Sequence, residues 1–207
     1  ESLTSSDIIL FNIGNQDREA IAYQIEEILQ YNPAVLGVNT LFHGRKDPVK
    51  DSILKSVVEN NDRVVCASFI RETNDQFQID QSEPYFGISA SGYSNLVGEN
   101  NATVRLFQPK WSIDGQTQHA FATEVFKKFD PKSAEQLLSR GNSEEIINYQ
   151  GHLQSFLAFD DYEIFDPSQA WSILEGKIVL LGYLGTPMGA EFEIEDKHFT
   201  PLNEELA

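Results

Sequence analysis

Three short apolar runs constrain this chain most: DIILFNI at 7–13, VLGVN at 35–39 and VVCASF at 64–69. Each is too short for a buried helix and nearly free of polar positions, as a strand covered on both faces must be. Between them lie two stretches of helical period. Ile21, Ile25, Ile28 and Leu29 share one face of a helix expected over 17–31. Asn32-Pro33 stops it, because the residue before proline is pushed out of the helical region. Asp47-Pro48 opens a second helix, with an acid as N-cap and proline at the first helical position. Ile53, Leu54, Val57 and Val58 form its stripe, and Asn60-Asn61 ends it. Strand, helix, strand, helix, strand with short connections points to a parallel sheet, since each helix carries the chain back to the same end.

Residues 72–83 are polar without a period and are expected to form a loop. Two β-rich pieces, 85–96 and 102–108, flank the turn-forming Gly98-Glu99-Asn100-Asn101 and are expected to pair as an antiparallel hairpin. A helix is expected over 117–129, capped by Thr117, with Phe121, Val125 and Phe129 four apart; a shorter one over 133–139 ends at Gly141. Strands are expected at 145–149 and 177–182 (KIVLLG), with a short helix at 167–174 before the second. No internal repeat and no linker divides the chain. The expectation is one domain over 1–207 of the α/β class: a mostly parallel central sheet flanked by helices, with an inserted antiparallel hairpin.

Charge narrows the partners. The 207 residues hold 15 Lys+Arg against 32 Asp+Glu, a formal net charge of −17. Such a surface repels nucleic-acid phosphates and no basic stretch offsets it, so nucleic acid is not an expected partner. No apolar stretch approaches the roughly 18 residues of a membrane span. The one cysteine, Cys66, excludes an internal disulfide framework and a cysteine zinc cluster. Inside an apolar run it reads as a buried small side chain rather than a reactive thiol.

Signals for catalysis and cofactors are weak. His43, His119, His152 and His198 contain no pair at i+3 or i+4, so neither a zinc site nor any other metal or cofactor is expected. There is no Gly-x-Ser-x-Gly elbow; Ser89-Ala90-Ser91-Gly92 comes nearest and reads as strand and turn. The glycines of GYLGTPMG (182–189) follow a strand, as in a phosphate-cradling loop, but without the Lys-Ser/Thr pair or a following helix. Glu191, Glu193, Glu195, Asp196 and His198 alternate with Phe192 and Ile194, as in a strand with one solvated acidic face; the spacing fits no calcium loop.

In an open parallel sheet, ligands sit outside the carboxyl ends of the strands. Those ends place Asn15, Asn39, Ser68, Arg71 and Thr186 around one crevice, where each offers hydrogen bonds and Arg71 can pair with a carboxylate. The alternative is that they are ordinary loop polar groups serving the local backbone.

The order of segments also resembles a type-2 CHASE domain. AVLGVNTLF (34–42) is similar to that family's Gly-hydrophobic-Asp strand, and KDPVKDSIL (46–54) to its Asp-x-x-Leu helix, with Asp51 on the acidic position. GYSNLVGENNATVRLF (92–107) resembles its hairpin, with Arg105 as the arginine. IINYQG (146–151), ILEGKIVLLGYLG (173–185) and EDKHFTPL (195–202) follow in the family's order, the last carrying Asp196, Thr200 and Pro201. Two positions depart: Asn39 stands where the family has Asp, and Asn100-Asn101-Ala102 replaces an Asp-Gly pair.

The resemblance implies an extracytoplasmic sensory domain of a bacterial cyclase or histidine kinase. Its ligand would be an unidentified small molecule or peptide, with membrane anchorage through segments outside these residues and a possible homodimer. It further implies an output domain elsewhere and a chain truncated at its C-terminus. Two other classes remain open: a non-sensing dimerisation module, and an α/β enzyme using the acids at 191–198.

Overall fold

The structure is a computed structural model and describes residues 7–74, 76–97, 103–149 and 155–185. The three apolar runs form parallel strands β1 (Ile8–Asn12), β2 (Val35–Asn39) and β3 (Val64–Thr73), separated by helices α1 (Arg18–Gln30) and α2 (Pro48–Val58). The helix starts are set by side chains. Asp17 Oδ1 accepts from the Glu19 and Ala20 amides at 3.0 and 3.1 Å, and Asp47 Oδ1 from the Val49 and Lys50 amides at 2.9 and 3.1 Å.

Then follow β4 (Gln76–Asp80), β5 (Ser91–Tyr93), β6 (Leu106–Phe107), β7 (Lys110–Ile113) and β8 (Gln116–His119). Helices α3 (Phe121–Phe129) and α4 (Pro131–Ser139) precede β9 (Glu145–Ile146), β10 (Leu157–Phe159) and β11 (Ile178–Gly182). The central sheet has seven strands in the order β10-β1-β11-β2-β3-β4, with β5 also paired to β3. The late strand β11 lies between β1 and β2, so Leu180 pairs with Leu10 on one side and Gly37 on the other. Only β4 runs antiparallel in this sheet; β6 with β9 and β7 with β8 form separate antiparallel pairs.

Alternation assigns the two faces. Phe11, Leu36, Val38, Val179 and Leu181 pack against Ile21, Ile25 and Ile28 of α1 and Leu54 and Val58 of α2. Val35, Val65 and Ile178 point the other way, to Val125 of α3, with Phe121 and Phe129 alongside. Burying each large side chain of this core contributes about 1.5–3 kcal/mol. Glycine lets α3 come this close. A Cβ on Gly37 would meet Phe121 and Leu180 at 2.8 and 2.9 Å, and one on Gly92 the Phe121 backbone at 2.7 Å. Phe11, Phe159 and Trp171, with ring centroids 5.0–5.7 Å apart, seal the β10 edge.

Several boundaries differ from the sequence expectation. Residues 117–120 are not helical: Gln116–His119 is a strand, and α3 starts at Phe121. The cause is Asp114-Gly115, whose φ of 49° and 78° make a tight turn that pairs Ser112 with Thr117. The loop expected over 72–83 holds the end of β3 and all of β4, folded back where Asn74 takes φ 53°. The stretch 85–96 is not one strand: a 3₁₀ turn at Pro84–Phe86 precedes β5, which pairs in parallel with β3. The turn expected at 98–101 lies outside the described residues; its flanks meet in one antiparallel bridge, Val97 to Leu106. The strand at 145–149 shortens to β9, the helix at 167–174 to a 3₁₀ turn at Trp171–Leu174, and α4 begins two residues early because Asp130 caps it and Pro131 starts it.

Candidate functional site

The carboxyl ends of β1, β10, β11 and β2 gather at one edge of the sheet, and Asn12 organises them. It ends an otherwise apolar strand and is 3% exposed. Its Nδ2 donates to Asp160 Oδ1 at 3.0 Å and to the Gly185 carbonyl at 2.8 Å, while Oδ1 accepts from the Gly14 and Leu184 amides, both at 3.0 Å. One side chain thus ties the exits of β1, β10 and β11, using both donors and two acceptor positions. Gln24 of α1 supports it from below: Nε2 donates to the carbonyls of Asn12 (3.2 Å) and Asp161 (2.9 Å). Gln24 Oε1 is buried and without a partner among the described residues. Gln16 also donates to Asp161, and the Asp160 amide donates to Glu163 Oε2 at 2.6 Å.

A buried ion pair fixes the neighbouring helix starts. Asp51, fully buried in the first turn of α2, accepts from Arg18 Nη1 at 2.5 Å and from the Lys46 amide at 2.9 Å. Arg18 Nη2 donates to the His43 carbonyl at 2.6 Å, and its guanidinium lies 5.2 Å from the Phe86 ring centre. Burial pushes the Asp51 carboxyl up, but the Arg18 and Lys46 hydrogen bonds and the Arg18 charge outweigh it and hold the group below its ordinary value. At the surface beside it, Lys50 pairs with Asp17 at 2.5 Å. That hydrogen bond, joined by the one from the Ala20 amide, lowers the Asp17 carboxyl, and the same bond with the Asp17 charge raises the Lys50 amine.

The residues expected at the crevice divide. Asn39 and Ser68 come together through Ser94, whose hydroxyl donates to Asn39 Oδ1 at 3.0 Å and whose amide donates to the Ser68 carbonyl at 2.9 Å. Asn15 is exposed on the turn after β1. Arg71 does not join them: it lies on the extension of β3 beyond the parallel sheet, 67% exposed, paired with Asp80 at 2.7 Å. Of the resemblance positions, Asp51 belongs to the buried pair, whereas the Arg105 side chain is exposed and its carbonyl accepts from the Ile147 amide at 2.9 Å. Thr186, Asp196 and Thr200 lie outside the described residues, as do the acids at 191–198, His152 and the end of the glycine-rich loop.

Cys66 is buried and its thiol is pushed up to about 12 by burial, so it is a packed side chain, not a nucleophile. Asn12 and Arg18 escaped sequence reasoning. The available signals were a lone polar residue closing an apolar strand and a cation on the first turn of a helix facing an acid on the next.

Among the described residues, no three His, Cys, Asp or Glu side chains are arranged to hold a metal ion, and no helix is long and apolar enough to cross a membrane. A mostly parallel sheet covered by helices on both faces, with Asn12, Asn39 and Ser68 at its strand ends, defines a domain of the α/β class. The chain belongs to the CHASE2 domain family, whose model matches residues 4–207; these are extracytoplasmic sensory input domains. Comparison with curated proteins and with solved structures returns no match.

Proposed function

We propose that residues 1–207 act as one signal-input domain that binds a small molecule or peptide outside the cytoplasm, while segments beyond these residues anchor it in the bacterial inner membrane. Binding would favour one arrangement of the domain over another, and that shift in population is what a flanking segment would transmit. The domain carries no chemical step in this reading; an output domain elsewhere does. The observation that carries it is the family match over 4–207, because function is argued from family and site rather than from an α/β fold alone. The exposed Asn39 and the half-buried Ser94 bonded to it, with Asn15 nearby in sequence to the Asn12 lock, are consistent with ligand contact at the strand ends.

Native mass spectrometry of the purified chain tests this. An excess mass that disappears on denaturation is the expected result. A bare dimer with no ligand in any extract would contradict it and favour the dimerisation module, and turnover of a generic ester, phosphoester or glycoside would favour the enzyme.

A further inference from the structure

The sheet forks at β3. Cys66, Ala67 and Ser68 pair with Ser91, Gly92 and Tyr93 of β5, but the next residue, Phe69, pairs with Asp80 of β4. Because β5 occupies the edge that β4 would otherwise continue along, the connection 81–90 must swing away and return. It leaves the sheet, makes the 3₁₀ turn at Pro84–Phe86 that buries Phe86 in the core, and bridges Glu59 at Ile88. Under this connection lies a cavity of about 270 Å³. Cys66, Ala67 and Ile88 line it with Ser82, Glu83 and Ser91.

The polar wall is held in place from outside. The Glu83 amide donates to the Phe42 carbonyl at 3.1 Å, Ser82 Oγ accepts from the Phe42 amide at 3.0 Å, and Glu83 Oε1 accepts from the Gly44 amide at 3.2 Å. Glu83 nevertheless forms no ion pair among the described residues. Of the cations on neighbouring segments, Arg45 lies 4.2 Å over the Tyr85 ring, Lys55 pairs with Glu59 at 3.1 Å and His43 faces Asp80 at 3.5 Å, while Lys46 forms no ion pair among the described residues. Glu83, without an ion-pair partner among the described residues, lines this half-enclosed cavity together with Ser82 and Ser91, a lining whose charge and acceptors suit a positive group.

We propose that the cavity at the fork binds a small organic cation, an amine or guanidine of about amino-acid size, with Glu83 holding its charge. The volume sets the size, since it falls just below the roughly 300 Å³ at which drug-sized pockets begin. Glu83 sets the sign, and Ser82 and Ser91 offer further acceptors to an ammonium's three donors. Pro84 and Ile88 take the apolar body, over a floor made by the buried Cys66–Ala67 stretch of β3. This rests on the sensory reading above and gives it a site and a ligand class.

Thermal unfolding of the 207-residue chain with ethanolamine, putrescine and arginine, against acetate, succinate and erythritol, tests it. The amines should raise the melting temperature by about 5 °C at a hundredfold excess over Kd, and the other probes should not. Glu83→Gln should weaken amine binding at least about tenfold, and Ser91→Leu, which fills the cavity, should abolish it. No shift with any amine, or an equal shift in Glu83→Gln, overturns the proposal. An anionic or neutral probe that binds in their place overturns the cation site and leaves the sensory reading standing. Failure of every probe together with bare chains in the mass spectrometer removes both.

Discussion

Asn12, inside the sheet, and Glu83, in the connection that leaves its forked edge, are in opposite circumstances. Asn12, at the centre, has two donors and two accepting contacts engaged by β1, β10 and β11 exits. Asp51 close by is matched by Arg18 and the Lys46 amide. Glu83, at the forked edge, has a backbone amide on one oxygen and no ion-pair partner among the described residues. The difference follows from topology. At the centre, strands crowd in from both sides and neighbours pair the buried polar groups, Gln24 Oε1 excepted among the described residues. At the fork, the ladder runs out and the connecting chain leaves space that it does not fill. In the proposed reading, the central locks act as framework and the fork is where a ligand would supply the missing partner.

Substitutions should separate the two regions. The largest loss is expected for Asp51→Ala, which leaves Arg18 buried without its counter-charge: a melting temperature lower by at least about 10 °C. Because the Asp51 carboxyl is held below its ordinary value, its contribution is present above the unfolded value of about 3.9 and disappears as pH falls through the folded one. The gap between wild type and Asp51→Ala should accordingly close in melting curves recorded from pH 5 down to pH 2. An undiminished gap at pH 2 would mean that packing rather than charge holds the site.

Asn12→Ala should come next, costing about 3 kcal/mol from unmade buried hydrogen bonds, or about 6–12 °C. Calorimetry of this variant with Gln24→Ala would show coupling through the 160–161 segment, which Asn12 holds at Asp160 Oδ1 and Gln24 at the Asp161 carbonyl. Gly37→Ala pushes on the tip of the Phe121 ring and the end of Leu180, which can give way, so about 1–3 kcal/mol is expected in a denaturant titration. Asp17→Ala removes a cap and an exposed pair and should lower the melting temperature by only about 3 °C. Glu83→Gln closes the series, with stability unchanged within about 2 °C.

The sheet was legible where local pattern and tertiary position agree. The runs at 7–13, 35–39, 64–69 and 177–182 have no polar stripe, and strands covered on both faces need none. Their order was not legible: nothing in KIVLLG says that it inserts between β1 and β2, because that is decided by the whole sheet. The start of α3 is misjudged from Thr117 alone, because the Asp114-Gly115 turn, with positive φ at both residues, draws 116–119 into a hairpin strand. Arg71 was read into the crevice because strand ends were judged from where apolar residues stop. β3 continues to Thr73 with alternating exposure, and that carries Arg71 to Asp80. The fork was invisible for a related reason: two strands claiming consecutive residues of β3 leave no local mark on either.

Backbone amide chemical-shift mapping during a putrescine titration tests the contrast between centre and fork directly. The account predicts shifts confined to 66–67 and 81–91, with Asn12, Asn39 and 182–185 unmoved. Shifts centred on Asn12, Asn39 and 182–185 with the fork silent would contradict it.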